Sequence, residues 1–198
     1  MRVLGVDPGL TRCGLGIVEQ APGGKPALVE AGVIRTAPDL APATRLLAIE
    51  KGIDEWLLRW RPDAVAVERV FAQQNLHSVT GTAQAAGIAM LLAARHGLPV
   101  VLHTPTEVKA AITGSGSAGK AQVGAMVARI LKLPGAPRPA DAADAVALAL
   151  CHLWRGGASN RYAAAVAQAG AGGTSAGYQR ANRAARAPLA GSQAVVVK

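Results

Sequence analysis

The order of its apolar segments constrains this chain more than any other feature. Three strand-like segments come first, and helix-like and strand-like segments alternate after them. Short turns between the first strands predict an antiparallel meander, whereas the later alternation predicts parallel strands joined by helices, so we expect an α/β domain with a mixed sheet. The predicted strands are 2–7, 14–19, 28–36, 64–68 and 99–103, and the predicted helices are 42–61, 75–96, 106–112, 120–133 and 140–154.

The composition favours a soluble protein with an aliphatic core. Apolar residues make up 51% of the 198 residues, whereas only 3% are aromatic. We see no apolar stretch near the roughly 18 uninterrupted residues that a membrane span needs, and the first residues lack the plan of a signal peptide. Cys13 and Cys151 lack zinc-like spacing, so we expect them to be reduced and structural. These features predict a cytoplasmic protein.

Positive charge is concentrated at the C-terminal end. The net charge is +9, from 21 basic and 12 acidic residues, and such an excess points first to nucleic acid and then to anionic membrane. Residues 155–198 contain six cations and no acid, so 1–154 contribute only +3. From Gly156 the chain is rich in Ala, Gly, Ser and Arg without lasting periodicity. We therefore predict a domain over 1–155 and a disordered basic tail over 156–198.

Four acids stand at the ends of apolar elements. Asp7 closes the run VLGV, and Glu68 closes the run AVAV. Ligands of open α/β sheets collect at the carboxyl ends of strands, so parallel neighbours would bring both acids to one edge. Asp141 and Asp144 share one helix face in its first turn, where the helix dipole favours negative charge. Taken singly, these acids equally fit an Asx turn, a solvated strand end and a helix cap.

Convergence of the four acids would require cations. Two carboxylates about 4 Å apart repel by about 4 kcal/mol at an effective dielectric constant of 20. Ligation by oxygen alone selects Mg²⁺ or Mn²⁺ over zinc or copper. Two such ions about 4 Å apart can clamp a phosphodiester, one activating water and the other stabilising the leaving oxygen. A metal-dependent nuclease is the function that this pattern favours.

Four collinear blocks carry a family resemblance. VDPGLTRCG at 6–14, AVERVFAQQN at 66–75, VKAAITGSGSAGKAQV to KLP at 108–134, and ADAADAVALALCH at 140–152 resemble the RuvC family of Holliday-junction resolvases, the crossover junction endodeoxyribonucleases. The resemblance covers about residues 1–155. It implies a ribonuclease H-like fold, with a mixed five-stranded sheet flanked by helices, and a homodimer with two Mg²⁺ per active site.

The same resemblance implies a role in homologous recombination and DNA repair. The enzyme would cut two symmetric strands of a four-way junction and work with a branch-migration motor of the RuvA and RuvB type. Four residues are implied to be the metal-binding catalytic acids: Asp7, Glu68, Asp141 and Asp144. Phe71 is implied to stack on an unpaired base near the crossover, although a lone Phe is otherwise a core residue. Lys109 and Lys120 are implied at the DNA backbone, where the alternative is a solvated helix charge. Arg69, a departure from the family pattern, is expected to contact DNA too.

Several rival functions fit parts of the sequence. GSGSAGK at 114–120 has the spacing of a phosphate-binding P-loop, but Ala121 replaces the required hydroxyl residue and a helix-like segment precedes it. An actin-like or sugar kinase also begins with a strand, an acid and a glycine turn, but this chain is too short for its second nucleotide-binding half. A DNA-binding scaffold would not need the acids. Only the four family blocks distinguish a junction resolvase from a less specialised nuclease of the same fold.

One predicted helix carries small residues suited to close packing. Ala83, Ala86, Gly87 and Met90 share a stripe of the helix over 75–96. The stripe fits either the chain's own sheet or a second copy, and the family resemblance favours a dimer interface. A twofold dimer would present two active sites to two symmetric strands.

Overall fold

The computed structural model describes residues 1–70, 76–170 and 196–197, and five strands there form the expected mixed sheet. The first three strands pair antiparallel in sequence order, and the next two add in parallel beside β1. The strand order is β5-β4-β1-β2-β3, and β6 pairs antiparallel with the outer edge of β3. The strands are β1 Arg2–Asp7, β2 Arg12–Glu19, β3 Ala27–Arg35, β4 Ala64–Glu68, β5 Val100–His103 and β6 Val196–Val197.

Helices cover both faces of the sheet. The helices are α1 Pro42–Trp60, α2 Leu76–Arg95, α3 Pro105–Thr113, α4 Lys120–Ile130 and α5 Ala140–Gly170. One core joins α1 and α2 to side chains such as Leu4, Val6 and Val67. The other core joins α3, α4 and α5 to Val3 and Ala66. Because side chains alternate along a strand, this division also sends Asp7 and Glu68 to the face that α5 covers.

The last helix is longer than predicted. We expected it to end at Trp154, within a domain that ends at 155, but α5 continues to Gly170 and crosses that boundary. The reason is local, because residues 158–168 are rich in alanine, the strongest helix former. The expectation of a tail without secondary structure is therefore wrong for 156–170. The two-residue strand β6 is a second departure, and residues 171–195 and 198 lie outside the described residues.

Small residues under α5 let the helix lie close to the sheet. Gly5 and Gly14 face this helix, and a Cβ atom on either would collide with its backbone, at the carbonyl oxygens of Ala145 and Asp141 respectively. The absence of side chains on the strands therefore fixes how near the start of α5 comes to the ends of β1 and β2. In the part of the chain that the structure describes, we find no helix with the length and apolarity of a membrane span.

Candidate active site

Two of the predicted acids lie side by side at the carboxyl edge of the sheet. Strands β1 and β4 are parallel neighbours, with Val6 the partner of Val67, so Asp7 and Glu68 end adjacent strands one position further on. Both side chains are mostly buried and face α5. The condition under which both acids would reach one edge, that the two strands are parallel neighbours, is therefore met.

The other two acids approach from the start of α5. Asp141 and Asp144 lie in the first two turns of this helix, each with 27% of its side chain exposed. The close contact between Gly14 and the backbone of Asp141 brings this end of the helix to the edge where Asp7 lies. Four carboxylates from three different elements are thus gathered in one region.

Each acid of α5 has a cationic partner. Arg12 Nε donates to Asp141 Oδ2 at 2.5 Å, and Lys120 Nζ donates to Asp144 Oδ2 at 3.0 Å. Asp7 and Glu68 have no such ion pair among the described residues. The two acids at the strand ends therefore keep the less compensated negative charge.

Burial and the neighbouring negative charges raise the pKa of the two acids at the strand ends. Burial raises the pKa of Asp7 to about 8, and the charges of Glu68, Asp144 and Asp141 raise it as well. Burial and the charge of Asp144 also raise the pKa of Glu68. Opposing this, the charge of Lys120 lowers the pKa of both acids, but it does not cancel the rise. This cluster of carboxylates gains stability from any further cation that enters it.

A cavity of about 210 Å³ connects these acids to the predicted DNA-binding lysines. Asp7, Glu68 and Asp144 line it together with Lys109 and Lys120. Lys109 lies on α3 and is half-buried, whereas Lys120 is the first residue of α4 and is exposed. The structure therefore brings both lysines to the acids, as the family resemblance implied. It leaves Asp141 outside the lining, turned toward Arg12.

The donor set suits a hard divalent cation. Carboxylate oxygens are the ligands that Mg²⁺ and Mn²⁺ prefer, and three of the four acids, Asp7, Glu68 and Asp144, line one cavity. As the side chains are placed, no three His, Cys, Asp or Glu residues among those described are close enough to ligate one ion. Two of the four acids, Asp141 and Asp144, are instead paired with Arg12 and Lys120.

Of the two remaining predicted DNA contacts, Arg69 lies within the described residues and Phe71 does not. Arg69 is exposed directly after Glu68, and its backbone N–H donates to the carbonyl oxygen of His103 at 2.8 Å. Its side chain is outside the cavity lining. Phe71 lies outside the described residues, so its stacking role stays a prediction.

The structure also resolves two points that the sequence left open or missed. Residues 114–119 follow helix α3, so the strand that a P-loop requires before its glycines is missing there. Arg12 was not among the predicted site residues, yet it holds Asp141. Its place in the block VDPGLTRCG, five residues after Asp7 and at the start of β2, was the available signal.

Comparison with known proteins gives a consistent family. Residues 3–152 match the family described as "Crossover junction endodeoxyribonuclease RuvC". A protein of that name from Cutibacterium acnes is 68% identical over 166 residues, which cover 84% of this chain and 85% of the relative. The solved structure of Thermus thermophilus RuvC superposes with a TM-score of 0.73 at 38% identity, covering 80% of this chain and 97% of that one. T. thermophilus RuvC in complex with Holliday junction substrate also has a TM-score of 0.73, at 39% identity, covering 77% and 93%. The fold is therefore ribonuclease H-like.

Proposed function

The chain belongs to the RuvC family of crossover junction endodeoxyribonucleases, and from this premise we propose that it resolves four-way (Holliday) DNA junctions by paired symmetric nicks. Its role would be in homologous recombination and DNA repair. A relative that superposes with a TM-score of 0.73 has been solved in complex with Holliday junction substrate, which supports this choice of substrate.

One observation of this chain carries the proposal. Asp7, Glu68 and Asp144 line a single cavity with Lys109 and Lys120, and Asp141 lies near enough for its charge to raise the pKa of Asp7. Acids alone would repel DNA and cations alone would bind it without cutting. Both together, at the carboxyl edge of an α/β sheet, provide metal ligands next to contacts for the phosphate backbone.

We propose Asp7, Glu68, Asp141 and Asp144 as the ligands of two Mg²⁺, with Mn²⁺ as a working substitute. Bound there, the ions supply activation of water and stabilisation of the leaving oxygen during phosphodiester hydrolysis. Asp7 and Glu68 would give up any proton they hold when the ions bind, because burial and the neighbouring acids raise their pKa and a bound cation would lower it again. Asp144 and Asp141 would exchange Lys120 and Arg12 for metal.

The cations then have a separate task at the DNA. Lys109 and Lys120 line the cavity and would neutralise the phosphates that flank the scissile bond. Arg69, exposed after Glu68, would contact the backbone further out. Phe71 would stack on a base left unpaired at the crossover.

We propose that the active molecule is a homodimer formed through α2. The stripe of small residues on α2 is only partly used by the chain's own core. Ala86 is buried in that core, whereas Met90 is 37% exposed. A Cβ atom on Gly87 would meet no atom within 4 Å, so this face is open to another backbone. Exposed Leu91 extends the apolar surface beside Met90. The cytoplasmic location and an association with a motor of the RuvA and RuvB type stay predictions.

A single assay tests the proposed function. Purified full-length protein is incubated with a synthetic mobile four-way junction and with a linear duplex of the same arm sequence, in Mg²⁺ and in EDTA. We expect paired nicks in the junction with Mg²⁺, none in EDTA, and at least tenfold slower cutting of the duplex. Equal cutting of both DNAs would identify a nuclease without junction selectivity. Binding of the junction without cutting in Mg²⁺ would identify a DNA-binding scaffold.

A further inference from the structure

A second cavity, of about 600 Å³, lies on the other side of the turn that follows Asp7. It is bounded by this turn, the start of α1 and the second turn of α2. Its polar lining consists of side chains that donate hydrogen bonds: Thr11, Arg12, Arg45, Thr80, Thr82 and Gln84. Two of these are arginines and none of the lining residues is acidic, so the cavity is suited to an anion.

Arg45 is a buried cation without an acidic partner. Its exposed fraction is 8%, and it still lines the cavity. Its Nε donates to Thr36 Oγ1 at 2.9 Å and its Nη2 donates to Thr11 Oγ1 at 2.6 Å, both neutral hydroxyls. Within residues 1–70 and 76–170, no Asp or Glu forms an ion pair with it. Burial of an uncompensated charge is costly, so an anion in the cavity would supply the missing counter-charge.

The start of α1 adds a second attraction for an anion. This helix of 19 residues begins at Pro42 with Ala41 as its N-cap, which provides no side-chain hydrogen bond, and its first turn has no acid. The free backbone N–H groups and the positive end of the helix dipole are therefore left uncompensated there. Pro42 and Arg45 both line the cavity, so the helix start adjoins the buried guanidinium.

We propose that this cavity binds a backbone phosphate of the DNA, separate from the phosphate that is cut. The proposal rests on the proposed function, because it takes the substrate to be DNA. Arg12 connects the two places, since it lines this cavity and also donates to Asp141 at the acid cluster. Arg12 is therefore shared by the wall of this cavity and the acid cluster, which places the two sites next to each other. The phosphate would fix the position of the strand while contributing nothing to base recognition.

Replacing Gln84 with Glu tests the site without removing any contact that holds the fold. Gln84 is exposed on α2 and lines the cavity, so Gln84→Glu adds one negative charge there at almost unchanged shape. Gln20→Glu is the control for an added charge at the end of the sheet opposite Asp7, and its melting temperature is measured as well, because Gln20 Nε2 donates to the carbonyl oxygen of Gly24 at 2.8 Å. Binding of the junction is measured in EDTA at several salt concentrations, so that no strand is cut. Sedimentation checks the oligomeric state of each variant.

We expect Gln84→Glu to weaken junction binding by about tenfold at low salt, with the slope of log affinity against log salt smaller by roughly 0.9, the value of one phosphate contact. Gln20→Glu should bind as the wild type does. Equal affinities and slopes for all three proteins would overturn the proposal, and so would a change in oligomeric state confined to Gln84→Glu, which would assign Gln84 to a protein interface.

The source of the phosphate is tested separately. Melting temperatures are measured in inorganic phosphate and in chloride at the same ionic strength. If phosphate stabilises only the wild type and Gln20→Glu, while all three bind DNA equally, the cavity takes a free anion and the DNA assignment is wrong. Failure of the wild type to nick junctions would refute the proposed function alone, because the affinity comparison is made without cutting.

Discussion

Lys120 Nζ lies 3.0 Å from Asp144 Oδ2, which joins the first residue of α4 to the acid-bearing start of α5. This hydrogen bond raises the pKa of Lys120, so the side chain stays fully charged at neutral pH. The lysine therefore occupies, in the protein alone, a position where it neutralises an acid that we assign to metal. It is also exposed, which leaves it free to move to a DNA phosphate.

Replacing this lysine should slow cutting more than it weakens binding. We expect Lys120→Met to lower the single-turnover nicking rate at saturating junction by about tenfold or more, because a cation next to the developing charge is lost. Lys25→Met is the control, since exposed Lys25 lies in the loop at the opposite end of the sheet. Wild-type rates for Lys120→Met would show that this lysine is only a solvated partner of Asp144.

The raised pKa of Asp7 predicts how stability depends on pH without metal. Its value of about 8 in the fold exceeds the ordinary 3.8, so protonation favours the folded state. This contribution is present below pH 4 and is lost as pH rises through 8. Asp7→Asn should therefore melt a few degrees above the wild type at pH 8 in EDTA, and differ little at pH 4. Thermal unfolding at both pH values checks this, and a difference that does not change with pH would contradict it.

Mg²⁺ should reverse the difference in melting temperature between the wild type and Asp7→Asn at pH 8. Saturating Mg²⁺ at pH 8 is expected to raise the melting temperature of the wild type, because the ions compensate the carboxylate cluster, and to leave Asp7→Asn almost unchanged.

The role of Phe71 rests on the resemblance alone and can be tested directly. We expect Phe71→Ala to keep the melting temperature of the wild type and to cut an intact junction slowly, since stacking on a base is worth about 1–3 kcal/mol. The loss should shrink on a junction that already contains unpaired bases, because no base then needs to be unstacked. A melting temperature far below that of the wild type would assign Phe71 to the core.

Local patterns were sufficient to predict much of this molecule. The apolar runs ending in Asp7 and Glu68 predicted two strands that each end in an acid, and the parallel pairing of β1 with β4 supplies the adjacency that the sequence left as a condition. Lys109 and Lys120 were placed at the acids by the resemblance alone. Their positions agree with the resemblance, because both lysines line one cavity with Asp7, Glu68 and Asp144.

Long-range packing was not predictable in the same way. The approach of α5 depends on missing side chains at Gly5 and Gly14, which lie on the neighbouring strands β1 and β2 under a helix that begins more than 120 residues later. Arg12 and Asp141 are 129 residues apart, so no spacing rule joins them. The alanine-rich continuation of α5 was missed because helix propensity was outweighed by the glycines and the lack of an apolar face.

The end of α5 at Gly170 gives a boundary at which the basic tail can be removed to test its role in DNA binding. Deletion of residues 171–198 removes four of the six tail cations and strand β6, and we expect it to leave nicking intact at low salt. Duplex affinity should fall, and the slope of log affinity against log salt should flatten by about 1–3 units, because dispersed charges engage DNA only in part. Titrations of both DNAs at several salt concentrations check this. An unchanged slope would leave the tail without a DNA role.

The central claim is that the four acids hold metal and do not hold DNA. It is tested most directly by comparing nicking and junction affinity of Asp7→Asn and Glu68→Gln with those of the wild type in Mg²⁺. Both substitutions keep the shape of the side chain and remove its charge. We expect nicking to fall by at least a thousandfold while affinity stays within a few-fold. Nicking at the wild-type rate by either variant would contradict the assignment of these acids to the catalytic metal site.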